Sequence, residues 1–488
     1  MIYFLTRRLA LAWAASILLA AGAALADPPE PKLIPLPSPS VTEQTVEVGG
    51  RKLAFQATAA AVPVKDAQSG ETLAEIATLA FTMDPPSGVC RPIVFAFNGG
   101  PGAGSAWLDL GAAGPWRLPL AGAAPSTPPR LADNQETWLE FADLVFIDPP
   151  GTGYSRLPAN EGARKRFMSV DGDVDMLAVV IRRWTVQNHR QACPKYLLGE
   201  SYGGFRAPKV ARALQEKENI GIDGLILLSP SLDFSWIDGR NNPMLDAARL
   251  PSLAASRMGA KDRAALADVE AYARGEYLSD LLRGPQDAAA VDRLVGRVSA
   301  LTGLAPEKIR RLDGRVWAPD WARDSDPTGQ TIASFYDGAA RGLNPDPTRS
   351  SDWADPVLDA YRAPLAEAME QLVTERLKWP VGDANYEILN DRVSQSWDWG
   401  HGRRGQESLS DLRRVMALDP HVKTLVAQGL TDLVTPYLGT RMLLDQSPVI
   451  GAPDRIGFIA LAGGHMFYAE DSSRAALRDA ARKLIVGD

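Results

Sequence analysis

The chain has 488 residues, of which 45% are hydrophobic and 23% charged, and its formal net charge at pH 7 is −7. This is an ordinary globular composition, and the length allows a large core. A mildly acidic chain without a basic stripe binds nucleic acid poorly, so we expect no nucleic-acid partner.

The N-terminus has the pattern of a secretory signal. Arg7 and Arg8 precede an apolar run from Leu9 to Leu25, and small residues close the run at Ala26. This order predicts a signal peptide over residues 1–26, a periplasmic or secreted mature protein, and no stable membrane insertion after cleavage. The alternative is an uncleaved membrane anchor, because the run approaches the length that spans a bilayer. Residues 27–42, which are rich in proline, serine and charge, are predicted to be a linker.

The next part of the chain predicts strands, at first in antiparallel order. Residues 43–48 and 52–58 flank Gly49-Gly50, which favours a hairpin, and residues 76–83 predict a further strand. After these, apolar runs alternate with helical periodicity at 174–184 and 207–214. This rhythm predicts an α/β fold with a mostly parallel central sheet and helices on both faces. The apolar runs are Ile93–Phe97, Leu144–Ile147, Tyr196–Leu198, Leu225–Leu228, Thr424–Ala427 and Ile456–Leu461.

A long insertion interrupts the strand and helix rhythm. Residues 231–419 are loop-like and helical, with alanine-rich amphipathic segments at 259–283, 286–302 and 363–376. An insertion at the carboxyl edge of an open α/β sheet lies above the ligand crevice, so we predict a helical lid or cap. Residues 43–230 and 420–488 would then form one catalytic domain.

The candidate nucleophile is Ser201. It lies in Gly199–Gly203, whose sequence Gly-Glu-Ser-Tyr-Gly fits the Gly-x-Ser-x-Gly elbow. That chemistry needs a serine at a sharp turn between a strand and a helix, with small flanking residues that let the two elements pass closely. The alternative is a loop serine that matches by coincidence, but a predicted strand precedes this motif and a predicted helix follows it.

A serine nucleophile needs a base and an acid that orients the base. The chain has four histidines, and His465 is the one that follows a predicted strand, Ile456–Leu461. Asp432 likewise follows Thr424–Ala427. The chain order of serine, aspartate and histidine is the order of the α/β-hydrolase fold. The alternatives are a turn-capping aspartate and a structural histidine.

A glycine-rich loop, Asn98–Gly102, follows the strand Ile93–Phe97 and is a candidate oxyanion hole. Its expected donors are the backbone amides of Gly100 and Tyr202, the latter directly after the nucleophile. The alternative is a phosphate-binding loop, but Gly100-Pro101 lacks dinucleotide spacing and no Walker-type lysine follows. No metal or organic cofactor is implied.

Together, five motifs resemble the serine carboxypeptidase family (peptidase family S10), most closely its bacterial members. This resemblance implies an α/β-hydrolase fold and release of C-terminal residues from peptides with a free C-terminus. It also implies that Asn98, Gly99 and Glu200 hold the substrate carboxylate. A glutamate against a carboxylate must share a proton with it, so we expect activity to be favoured at acidic pH. The motifs are Asn98–Gly102, Asp148–Ser155, Gly199–Gly204, Gly429–Asp432 and Gly464–Met466.

The chain departs from the family pattern at the second acid. A substrate-binding glutamate is expected shortly before a Gly-Pro pair, and by register from Gly114-Pro115 that position is Ala112, with Asp109 the nearest acid. An esterase or acyltransferase with the same triad is therefore the alternative function, and a catalytically silent binding protein is a second one. No motif predicts the side-chain preference or the oligomeric state.

The chain has two cysteines, Cys90 and Cys193. Cys90 is eight residues before Asn98, and Cys193 is eight residues before Ser201. In the implied fold, the strand after Cys90 and the strand after Cys193 are adjacent and parallel, so both thiols lie at the same end of the sheet. A disulfide is expected in an oxidising compartment, and two separate buried thiols are the alternative.

Overall fold

A computed structural model describes residues 33–487 except 67, 85–89, 159–160, 237–238, 240, 349–353 and 401. The predicted signal peptide, residues 1–26, and residues 27–32 of the predicted linker lie outside the described residues. Within the described ranges, no helix is long and apolar enough to cross a membrane.

A nine-stranded sheet organises the molecule, in the order β1-β2-β3-β5-β4-β6-β7-β8-β9. The first three strands and their junction with β5 are antiparallel, and every pairing from β5 to β9 is parallel. The mostly parallel sheet that the sequence predicted is thus present. The strands are β1 (Ser40–Val48), β2 (Arg51–Lys65), β3 (Thr72–Thr82), β4 (Ile93–Phe97), β5 (Asp143–Ile147), β6 (Lys195–Glu200), β7 (Gly224–Leu228), β8 (Lys423–Gly429) and β9 (Ile456–Leu461).

The central strands are apolar throughout because both faces of the sheet are covered. In β4, Val94 and Ala96 join the hydrophobic cluster on one face, while Ile93, Phe95 and Phe97 join the cluster on the other. Successive side chains of a strand point to opposite faces, so a strand buried on both sides needs a continuous apolar run. This is why the apolar run predicted β4 with the correct bounds; the edge strand β9, which is only partly buried, was also predicted with the correct bounds.

Helices cover both faces. The helices α1, α2 and α6 contribute to the same cluster as Ile93, and α5 and α8 contribute to the opposite one. The longer helices are α1 (Val170–Gln187), α2 (Tyr202–Ala213), α3 (Pro243–Met258), α4 (Ala288–Thr302), α5 (Leu358–Gln371), α6 (Leu409–Leu418), α7 (Tyr437–Asp445) and α8 (Asp471–Val486). Shorter α-helices span Ala106–Leu108, Glu161–Phe167, Ala267–Tyr272, Leu278–Arg283, Pro306–Arg311, Ala318–Asp324 and Asp391–Gln395.

Much of the insertion has a hydrophobic cluster of its own. The helices α3 and α4 and residues 266–322 pack together and against α7, which belongs to the sheet domain. The first helix, α3, was not predicted, although Asn242 caps it and Pro243 occupies its first position. The last helix, α6, packs against α2 and belongs to the hydrophobic cluster on the Ile93 face of the sheet, whereas α3 and α4 belong to another cluster.

The entry strands are longer than predicted. β1 begins at Ser40, inside the predicted linker, and β2 extends to Lys65. Residues 51–59 of β2 pair with β1, and residues 56–65 pair with β3, so backbone hydrogen bonds are made along the whole strand. Local composition does not specify how far such pairing extends.

Candidate active site

Ser201 lies at a sharp turn between β6 and α2. Its backbone has φ 60° and ψ −121°, a conformation that non-glycine residues seldom adopt and that costs about 1–3 kcal/mol. The turn is tied down because the amide of Ser201 donates to the carbonyl of Leu228 at 2.9 Å. A Cβ at Gly199 would lie 2.1 Å from the carbonyl oxygen of Gly203, so the small residues of the motif are required sterically.

Asp432 and His465 are in direct contact. The imidazole Nδ1–H donates to Asp432 Oδ2 at 2.8 Å, and both side chains are buried. Oδ1 of Asp432 accepts the amides of Val434 and Thr435 at 2.8 and 3.0 Å, while the Thr435 hydroxyl donates to Oδ2 at 2.7 Å. Burial lowers the pKa of His465, but the adjacent Asp432 carboxylate outweighs it, so the net pKa is raised above 6.5.

The glycine loop packs against the serine turn. A Cβ at Gly99 would lie 2.5 Å from the amide nitrogen of Tyr202, so only glycine allows this approach. Gly100 follows with φ +99°. Among the described residues, neither the Gly100 amide nor the Tyr202 amide has a backbone acceptor. Two unengaged amides beside a serine are suited to stabilise an oxyanion.

Glu200 and Asn98 form a buried polar pair next to Ser201. The Asn98 side-chain amide donates to Glu200 Oε2, and the Tyr468 hydroxyl donates to Oε1 at 3.0 Å. Burial raises the pKa of Glu200 to about 7, against the lowering effects of His465, Tyr468 and Asn98. The Glu200 side chain is therefore largely protonated at mildly acidic pH. Tyr468 was not singled out from the sequence.

A buried ion pair lies between α1 and α2, next to the glycine loop. Arg206 on α2 donates to Asp173 on α1 at 2.6 Å, and both side chains are essentially inaccessible. The same guanidinium donates to the backbone carbonyl of Asn98 and lies 4.9 Å from the ring centroid of Tyr202. It thereby links the glycine loop to the helix that follows the nucleophile.

The serine turn, His465, the glycine loop and Glu200 line one cavity of about 440 Å³. Ser201 and His465 line it together with the expected carboxylate-binding and oxyanion residues Asn98, Gly99, Gly100, Glu200 and Tyr202. Asp432 lies behind His465 and does not line the cavity. The insertion supplies much of the rest of the lining through Arg249, Trp317, Pro319, Phe335, Tyr336, Leu358, Leu389 and Arg403.

The region of the second acid is closed off. Neither Ala112 nor Asp109 lines this cavity, and both are fully buried. Both carboxylate oxygens of Asp109 lack a hydrogen-bond partner within the described part of the chain, and burial, with the nearby Asp148, raises its pKa well above the ordinary value. Asp109 therefore does not replace the missing glutamate.

A disulfide joins Cys90 and Cys193, with their Cα atoms 5.1 Å apart. The two residues precede β4 and β6, which are adjacent and parallel. The bond fixes the amino ends of the two strands whose carboxyl ends carry the glycine loop and Ser201.

The comparisons with known proteins first define the fold. The crystal structure of Kex1(delta)p, a prohormone-processing carboxypeptidase from Saccharomyces cerevisiae, superposes with a TM-score of 0.58 at 16% identity. The alignment covers 89% of this chain and 92% of that one. The predicted α/β-hydrolase fold is thus confirmed.

Sequence similarity then narrows the family. Residues 82–235 match the model of the serine carboxypeptidase family. A pheromone-processing carboxypeptidase, KEX1 of Podospora anserina, is 32% identical over 129 residues, covering 26% of this chain and 20% of that protein. Serine carboxypeptidase-like 36 of Arabidopsis thaliana is 29% identical over 152 residues, or 30% of each chain. The similarity thus spans only a fifth to a third of these relatives, and it confirms the resemblance to serine carboxypeptidases for residues 82–235.

Proposed function

We propose that this chain is a serine-type carboxypeptidase that releases C-terminal residues from peptides through an acyl-enzyme. The observation that carries the proposal is the buried pair of Glu200 and Asn98 beside Ser201, in a cavity that His465 also lines. A protonated carboxyl and a side-chain amide can both donate to a substrate carboxylate. A general esterase has no need of such a pair.

The reaction divides among the named residues. Ser201 attacks the scissile carbonyl while His465 takes its proton, and the His465 imidazolium then protonates the leaving amine. Asp432 keeps the Nδ1–H of His465 in place, which directs the other ring nitrogen to the reaction. The amides of Gly100 and Tyr202 stabilise the developing oxyanion. Water then attacks the acyl-enzyme and regenerates Ser201.

Acidic pH favours this scheme because of Glu200. Below its pKa of about 7, Glu200 is protonated and can share that proton with the substrate carboxylate. Above it, two carboxylates would face each other in a buried site, and binding weakens. The pKa of His465 is raised above 6.5, so the mildly acidic range that protonates Glu200 also begins to protonate the base, and the two titrations limit activity from opposite sides. The result is a bell-shaped dependence of activity on pH.

We further propose that the protein is exported and that the insertion forms a lid over the cavity. The disulfide supports an oxidising compartment, periplasmic or extracellular, in agreement with the signal pattern over residues 1–26. The insertion acts as the lid, since it lines one wall of the cavity. We draw its boundary before α6, because this helix packs beneath the sheet.

The test is a digest of a peptide library followed by mass spectrometry at acidic and neutral pH. Stepwise loss of C-terminal residues is expected from the wild-type protein and not from Ser201→Ala. An organophosphonate should label the wild type and Ser231→Ala, in which a second serine of the cavity is removed, but not Ser201→Ala. Absence of labelling would favour a silent binding protein.

An esterase or acyltransferase is the second candidate, and the closed region at Ala112 and Asp109 favours it. Binding of the substrate carboxylate would then depend on Glu200 and Asn98, without a second acidic side chain. A blocked dipeptide and its C-terminal amide distinguish the two functions. Equal turnover of both at mildly acidic pH would exclude the carboxypeptidase.

A further inference from the structure

Arg249 is a buried cation on the wall of the active-site cavity. It lies on α3, its exposed fraction is 3%, and it lines the same cavity as the glycine loop. Within the described residues, its Nε and Nη1 atoms have no hydrogen-bond partner. A buried guanidinium that leaves donors unused is costly, and such groups are normally paired.

Among the described residues, no carboxylate hydrogen-bonds to Nε or Nη1 of Arg249, although the Asp246 carboxylate raises its pKa from a distance. Asp246, one turn earlier on α3, is engaged by Arg315, whose Nη1 donates to Oδ2 at 2.6 Å. The guanidinium of Arg249 instead lies 5.8 Å from the ring centroid of Trp317, which also lines the cavity. Burial lowers the pKa of Arg249 to about 10, so it keeps its charge at neutral pH.

The α-carboxylate of a bound peptide is already accounted for by Glu200 and Asn98, on the sheet side of the cavity. Among the described residues that line the cavity, the remaining basic side chains are Arg249, the exposed Arg403 and His465. A fixed guanidinium in a mostly apolar cavity recognises a second carboxylate by charge-assisted hydrogen bonds.

We propose that Arg249 binds the side-chain carboxylate of an aspartate or glutamate next to the scissile bond, which makes the enzyme selective for acidic residues. This inference rests on the proposed carboxypeptidase function. The cleft between the sheet and the lid is the site, and Trp317 lines it beside the guanidinium.

The test compares blocked dipeptides that differ only by glutamate or glutamine. One series varies the residue before the scissile bond, and the other varies the residue after it. We expect the wild type to favour glutamate in one series by about tenfold or more in kcat/KM. Arg249→Met should bring that ratio close to one, and Arg249→Lys should retain part of it, because an ammonium keeps the charge but not the planar fork.

Arg403→Met is the matched control. Arg403 lines the same cavity but is exposed, so solvent screens its charge and the ratio should change by less than about threefold. A wild-type ratio near one in both series overturns the proposal whether or not Arg249→Met folds. The proposal is also overturned if Arg249→Met loses the preference for the free C-terminus over the amide but keeps the glutamate preference.

Binding to Ser201→Ala, measured by calorimetry, separates this inference from the proposed function. Tighter binding of the glutamate peptide, lost when Arg249→Met is added, supports the inference even if the wild type cleaves no peptide. Cleavage of both peptides with equal affinity for Ser201→Ala supports the function and overturns the inference.

Discussion

Glu200→Gln tests the carboxylate grip most directly. The pKa of Glu200 is about 7, so the protonated fraction falls from about 0.9 at pH 6 to about 0.1 at pH 8. The preference of the wild type for a free C-terminus over its amide should therefore fall about tenfold across this range. A glutamine does not titrate, so in the variant the ratio should be flat.

The assay is kcat/KM for a blocked dipeptide and for its C-terminal amide, measured between pH 5 and pH 9. Protonation of His465 changes kcat/KM for both substrates alike and cancels in their ratio. The pH dependence of the ratio therefore reports the titration of Glu200. A wild-type ratio that does not change with pH, or a Glu200→Gln ratio that falls as the wild type does, would refute the reasoning.

The same substitution has a stability signature. The folded-state pKa of Glu200 is raised above its ordinary value of 4.5, so the folded protein holds an additional proton between these values. Stability from this group is fully present below about pH 4.5 and falls by about 3 kcal/mol as the pH rises through 7. Urea unfolding should show this fall in the wild type and a smaller one in Glu200→Gln.

Three other variants test the residues around the candidate site. Asp432→Asn should lower kcat by roughly a thousandfold to ten-thousandfold with an intact fold, because the amide stabilises the wrong imidazole tautomer; a loss under tenfold would contradict the assigned role. Tyr468→Phe removes a hydrogen bond that lowers the pKa of Glu200, so the fall in the acid-to-amide ratio should move to higher pH, and a shift to lower pH would exclude this positioning role. Replacing Cys90 and Cys193 by serine opens a link between residues 103 apart and should lower the free energy of unfolding by about 3–5 kcal/mol; two reactive thiols in the denatured, unreduced wild type would exclude the bond.

Local sequence was sufficient for the sheet and for the candidate triad. The strands β4 to β8 are short apolar runs because they are buried on both faces, and the pattern identifies them and the partly buried edge strand β9 within a few residues. Ser201, Asp432 and His465 each follow such a run, so their place at one edge of a parallel sheet could be predicted. The long entry strands could not, because their length depends on pairing between neighbours.

The sequence by itself thus determined the fold class, the serine turn and the order of its partners. Only the tertiary structure decided what surrounds them: Tyr468 on Glu200, the pair of Arg206 and Asp173 next to the glycine loop, and Arg249, whose Nε and Nη1 have no hydrogen-bond partner among the described residues. Tyr468 and Glu200 are 268 residues apart in the chain, and their contact leaves no periodic signature. Unused hydrogen-bond donors have no signature in the sequence either, since they depend on which groups pack around the guanidinium. Burial raises the pKa of Glu200, and burial is a property of the assembled molecule.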